Sequence, residues 1–121
     1  MMVGGTHKPT DIRTRHDAGR TVVEVNGELD MFTAPRLRDQ LVTLAADGRN
    51  HLVLDLAELA FMDSSGLGVL VGGLKRARAA GGSVSIAGAS AQIISVLRVT
   101  GLIRVFPVFA TTAEALKAAG Q

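Results

Sequence analysis

The chain has 121 residues, 47% of them hydrophobic and 20% charged, with no cysteine and a net charge of +2. That is enough for one domain with its own core, and it excludes a disordered chain, a disulfide scaffold and any thiolate site. The sequence pI of about 9.7 reports a shallow titration curve and not a polycation, because without Tyr or Cys little loses charge between His and Lys.

Residues 1–10 read as a flexible N-terminal tail ahead of a single domain spanning 11–121. Ile12 to His16 alternates weakly, Asp17-Ala18-Gly19-Arg20 is a turn, and Thr21 to Val25 is β-branched. Two strands so closely linked are expected to form an antiparallel hairpin. Asn26-Gly27 then breaks the run. Thr33 is a candidate N-cap, and Pro35 is tolerated in a first helical turn. Leu37, Leu41, Leu44 and Ala45 share a helical face that Gly48 terminates. His51 to Leu56 follows as a strand, and its apolar core Leu52-Val53-Leu54 predicts cover on both faces.

Ser64 or Ser65 is expected to start the second helix, with Leu67, Leu70, Val71, Leu74 and Ala77 as its apolar stripe and Gly81-Gly82 as its end. Val84 and Ile86 alternate with Ser83 and Ser85 as in a half-buried strand. Ser90 caps a third helix carrying Ile93, Ile94 and Leu97, with Gly101 as its stop. Val105 to Phe109 is the last predicted strand, placed at an edge by Pro107. Thr111 and Glu114 have capping-box spacing for a final helix to about Ala119. The order ββαβαβαβα predicts an α/β domain: a mixed sheet opened by a hairpin and covered by about four helices.

Several functions are argued against by what is missing. The apolar stretch Leu67 to Leu74 is interrupted by Gly68, Gly72 and Gly73 and is far shorter than the ~20 residues of a membrane span. Met1 to Thr10 lacks the order of a signal peptide, so a cytoplasmic protein with no membrane insertion is expected. The arginines are scattered from Arg13 to Arg104, and the four Phe stand without Trp or Tyr; nucleic acid is not an expected partner. No Gly-x-Ser-x-Gly elbow surrounds Ser64 or Ser65. Leu74 stands where a phosphate loop needs Lys, and Val71 where a dinucleotide fingerprint needs its third glycine. His7, His16 and His51 lack metal spacing. Asp30, Asp55 and Asp63 all fall near strand or loop ends, as in a magnesium-dependent phosphoacceptor. The ββα opening disagrees with such a fold, and loop and cap carboxylates are the simpler reading. No catalytic residue, metal or cofactor is expected.

The informative segment is Phe61-Met62-Asp63-Ser64-Ser65-Gly66-Leu67-Gly68. Its simplest account is structural: one serine caps the helix, and the glycines let it pack closely. Two features strain that account. One cap needs one hydroxyl, and glycines at 66, 68, 72 and 73 each forfeit about 1 kcal/mol against Ala.

Together with Gly27-Glu28-Leu29-Asp30, Thr33-Ala34, Leu37-Arg38 and Leu54-Asp55-Leu56, this segment resembles the anti-sigma-factor antagonists, the bacterial branch of the STAS-domain family. The likeness runs from about Ile12 to Leu116. It implies a STAS-type fold and a protein that is not an enzyme. It implies binding to an anti-sigma factor that is also a serine kinase, with release of a sigma factor for transcription. Phosphorylation then ends the binding, and a serine phosphatase restores it. Carried over residue by residue, the acceptor is Ser65, and the partner face comprises Asp30, Thr33, Asp63, Ser64, Ser65, Gly66 and Leu67. A helix N-terminus is expected to tolerate the phosphate through its open N–H groups and dipole. Two alternatives stay open: a STAS subunit of a lipid transporter or stress-signalling assembly, and a nucleotide-binding module using the glycine-rich helix start.

Overall fold

The computed structural model describes residues 10–119. β1 (Asp11–Asp17) and β2 (Arg20–Leu29) form the expected hairpin, in antiparallel register from Asp11↔Asn26 to Asp17↔Arg20. Ala18 and Gly19 both carry positive φ, 50° and 82°, the backbone of a two-residue turn whose twist matches the strands. The other paired strands are β3 (His51–Asp55), β4 (Leu59–Met62), β5 (Ser83–Ala87) and β6 (Val108–Phe109). The sheet order is β1-β2-β3-β5-β6, with β4 beside β2 off that path. Every pairing after the hairpin is parallel.

The helices are α1 (Ala34–Ala46), α2 (Ser64–Ala79), α3 (Ala91–Val99) and α4 (Thr112–Ala119), with a 3₁₀ turn at Leu102–Arg104. Leu37, Leu41 and Leu44 of α1, Leu70 and Leu74 of α2, and Ile93 and Leu97 of α3 share one core with Val23, Val25, Leu54 and Ile86. On the opposite face, Ala115 of α4 packs with Val22, Val53 and Ala87. Leu52, Val53 and Leu54 are therefore buried from both sides, as their unbroken apolar run predicted.

Four expectations are corrected. First, Asn26-Gly27 does not end β2. The strand continues to Leu29 through a register shift at Gly27, whose φ of 93° suits glycine. At that point β2 changes neighbours: Thr21 to Glu24 pairs with β3, and Gly27 to Leu29 pairs with β4. Second, β4 itself was not anticipated, so the order is ββαββαβαβα. Leu59 and Met62 point inward while Ala60 and Phe61 are exposed, a pattern without two-residue alternation. Third, the predicted strand Val105 to Phe109 shrinks to Val108–Phe109. The Val105 and Phe106 N–H groups donate to the Leu102 carbonyl at 3.0 and 3.2 Å and complete the 3₁₀ turn instead. Fourth, Thr10, assigned to the tail, is buried, and its hydroxyl donates to the Glu28 carbonyl at 2.6 Å. Residues 1–9 of the expected tail, with His7, lie outside the described residues, as do residues 120 and 121. β6 is an edge strand as Pro107 required, and Ser90 and Thr111 accept from the Ile93 and Glu114 N–H groups as expected caps.

Candidate functional site

The partner switch of β2 brings the two singled-out segments together. Leu29 pairs with Met62 in parallel register, and the Asp63 N–H donates to the Leu29 carbonyl at 3.1 Å. Asp30 and Asp63 thus leave adjacent strand ends, each just ahead of a helix.

At α2 the cap is Asp63 and neither serine. Its Oδ1 accepts from the Ser65 N–H at 2.8 Å and the Gly66 N–H at 3.2 Å, while its carbonyl accepts from the Leu67 N–H at 3.1 Å. The expectation that Ser64 or Ser65 caps the helix is therefore overturned. A carboxylate one residue earlier has the reach and the charge for those donors. Among the described residues neither serine hydroxyl makes a hydrogen bond. Ser64 is exposed and Ser65 half-buried. The first-turn donors expected to remain open for an anion on Ser65 are instead occupied by Asp63.

At α1 the hydroxyl of Thr33 makes no capping bond to the helix. It accepts from the Asp30 N–H at 2.9 Å and donates to the Glu28 carbonyl at 2.8 Å. Asp30 Oδ1 accepts from the Phe32 and Thr33 N–H groups at 2.9 and 3.0 Å. Desolvation pushes the Asp30 carboxyl up, but these backbone bonds and the nearby Thr33 hydroxyl outweigh it and hold it below the ordinary carboxylate range. Asp30 and Thr33 together lock the turn Met31-Phe32.

That turn supplies what the sequence reading missed. Met31 is 63% exposed, Phe32 80%, and Phe61, at the end of β4, 42%. Two large apolar side chains in the short turn between Asp30 and Thr33 were the available signal. Beside them an open groove of about 250 Å³ runs between α1 and α2, lined by Met31, Ala34, Pro35, Arg38, Ser65 and Val69.

The glycines divide. A Cβ on Gly66 would come within 2.7 Å of Met62 Cγ and 2.9 Å of Leu29 Cδ2, and one on Gly73 within 2.9 Å of Leu41 Cδ1. Gly66 is thus buried packing under the helix start, with Leu67 half-buried beside it. A Cβ on Gly68 or Gly72 would meet nothing within 4 Å, so packing within the domain accounts for two of the four. Asp55 is drawn into its own loop, accepting from the Ala57 N–H at 3.0 Å. Among the described residues no group of three or more His, Asp or Glu side chains could hold a metal ion, and no helix is long and apolar enough to cross a membrane.

Compared with known proteins, the chain matches the family model for the STAS domain over residues 10–115. It is 41% identical over 80 residues to the anti-sigma-B factor antagonist of Bacillus subtilis (strain 168), covering 66% of this chain and 72% of that protein. It is similar to the crystal structure of an anti-sigma factor antagonist from Mycobacterium paratuberculosis, with a TM-score of 0.83 and 27% identity over 93% of this chain and 96% of that one. The Bacillus cell fate determinant SpoIIAA, solved in its phosphorylated form, shares the fold with a TM-score of 0.73 and 24% identity over 90% and 99% of the two chains. The first two are named as antagonists of anti-sigma factors.

Proposed function

The chain belongs to the STAS-domain family, and on that premise we propose that it is a cytoplasmic anti-sigma-factor antagonist switched by phosphorylation of Ser65. It binds an anti-sigma factor that is also a serine kinase, and the binding frees a sigma factor. Phosphate on Ser65 ends the binding, and a serine phosphatase removes it.

The observation that carries this reading is the hydroxyl of Ser65. It lies at a helix start where Asp63 already does the capping, so it has no structural hydrogen bond to lose on modification. It also lines the groove beside exposed Met31. The partner's contact extends over the face formed by Asp30, Thr33, Asp63, Ser64, Ser65, Gly66 and Leu67, with Met31, Phe32 and Phe61 added from their exposure. Full burial of a side chain such as Phe32 contributes about 1.5–3 kcal/mol. Gly66 contributes by keeping the helix start close to the sheet, not by direct contact. A phosphate adds about −1.5 to −2 charges at neutral pH. At the centre of a docked face that charge must be desolvated, which disfavours binding without any refolding of the domain. The named relatives are antagonists of anti-sigma factors, and a protein of the same fold exists in a phosphorylated form. Both support the reading.

The test is capture from the native host's lysate with wild type, Ser65→Ala and Ser65→Glu as baits, read by mass spectrometry. Wild type and Ser65→Ala are expected to retain a kinase-type anti-sigma factor, and Ser65→Glu to lose it. If all three retain the same transporter or assembly protein, the sigma-factor reading fails and the chain is a STAS module of that assembly.

A further inference from the structure

We propose that Arg38 is the partner of the phosphate on Ser65: its guanidinium closes on the phosphate across the groove between α1 and α2 and ties the modification over that groove. This rests on the reading of Ser65 as the acceptor.

The need for a cation follows from the helix start. Its Ser65 and Gly66 N–H groups already donate to Asp63 Oδ1, and the Leu67 N–H to the Asp63 carbonyl. A phosphate on Ser65 therefore finds those donors taken. It also meets the Asp63 carboxylate two residues away and the Asp30 carboxylate leaving the adjacent strand, both unfavourable neighbours for a dianion. The dipole of α2 offsets only part of that.

Arg38 is placed to supply the rest. It lines the same groove as Ser65, from the facing helix, one turn after Ala34. Its guanidinium is weakly engaged, with Nη2 3.5 Å from Asp39 Oδ1 in a contact whose two side chains are 61% and 74% exposed. Such a surface pair holds its partners loosely. A guanidinium offers a planar fork that matches phosphate oxygens, which a lysine cannot reproduce. The remaining lining (Met31, Ala34, Pro35 and Val69) carries no charge to compete. The pair fills the groove in the phosphorylated form only, so modification both adds charge to the face and occupies its recess.

The test uses the full chain with phosphoserine installed at position 65 during translation, followed by ³¹P NMR titration. The proteins compared are wild type, Arg38→Ala, Arg38→Lys and Arg36→Ala. Arg36 is the control: it is also on α1, but its Nη1 donates to the Thr10 carbonyl at 3.0 Å and it does not line the groove. The second phosphate ionisation, ordinarily near ~6, is expected at least about half a unit lower in wild type than in Arg38→Ala. Arg38→Lys should fall between them, and Arg36→Ala should follow wild type. Coincident titrations of wild type and Arg38→Ala would overturn the pairing, as would an Arg36→Ala shift equal to that of Arg38→Ala. Because the phosphate is installed, this outcome does not depend on any kinase. Loss of the sigma-factor reading would show separately, as cellular protein with no phosphate on Ser65.

Discussion

The starts of α1 and α2 follow neighbouring parallel strand ends, and each is led by an aspartate whose Oδ1 accepts two backbone N–H groups. They differ in where the hydroxyls go. At α1, Thr33 is tied to the Asp30 N–H and the Glu28 carbonyl, and the locked turn pushes Met31 and Phe32 outward. At α2, Asp63 caps alone, Gly66 lets the helix lie against Leu29 and Met62, and two hydroxyls are left over. One start presents apolar surface held by a rigid turn. The other presents two serine hydroxyls that make no hydrogen bond among the described residues. The residue types are alike, and the division of labour comes from which carboxylate satisfies which N–H.

The comparison breaks most visibly at Gly66. Gly66→Val should destabilise the domain by about 3 kcal/mol in chemical denaturation, at the upper end of overpacking costs, because Met62 and Leu29 already occupy the space. Phe32→Ala should leave stability within about 0.5 kcal/mol while weakening capture of the partner by about 30-fold, the size of a strong interface anchor. A fall in stability comparable to the fall in binding would mean that the turn and not the ring is what matters. Asp63→Ala should cost about 1–2 kcal/mol through the lost cap. The hydroxyls give the sharpest pair. Thr33→Val should cost about 1 kcal/mol, whereas Ser65→Ala should change stability by less than about 0.5 kcal/mol. Equal costs would show that Ser65 has a structural partner after all.

Acid provides the last separation. The Asp30 carboxyl is held low, so its ionised form contributes stability that is present above the unfolded value near 3.9 and is lost as pH falls through the lower folded value. Wild type should therefore lose its stability margin over Asp30→Ala as pH drops below about 4, followed by acid unfolding of both proteins.

Much of this molecule was legible in its sequence. The β-branched hairpin, the doubly covered run Leu52-Val53-Leu54, the helix faces at 3.6-residue spacing and the caps Ser90 and Thr111 are local patterns, set by side chains a few residues apart. Asp30, Thr33 and the Asp63-Leu67 segment could be singled out, through their resemblance to a family and through an excess of hydroxyls and glycines at one helix start, and the structure sets them side by side. Periodicity could not reveal β4, four residues without alternation, because its partner is the end of a strand some thirty residues earlier and its reason for being a strand is that pairing. Nor could it assign the caps. Asp63, Ser64 and Ser65 are all acceptable there by type, and only the direction in which β4 leaves the sheet decides that the aspartate reaches the N–H groups. The same holds for Arg38 and Ser65, far apart in the chain and on two helices. Residue type and local spacing determine which elements form; the long-range pairing of β2 with β4 decides which of their side chains meet, because only that contact sets the two helix starts side by side.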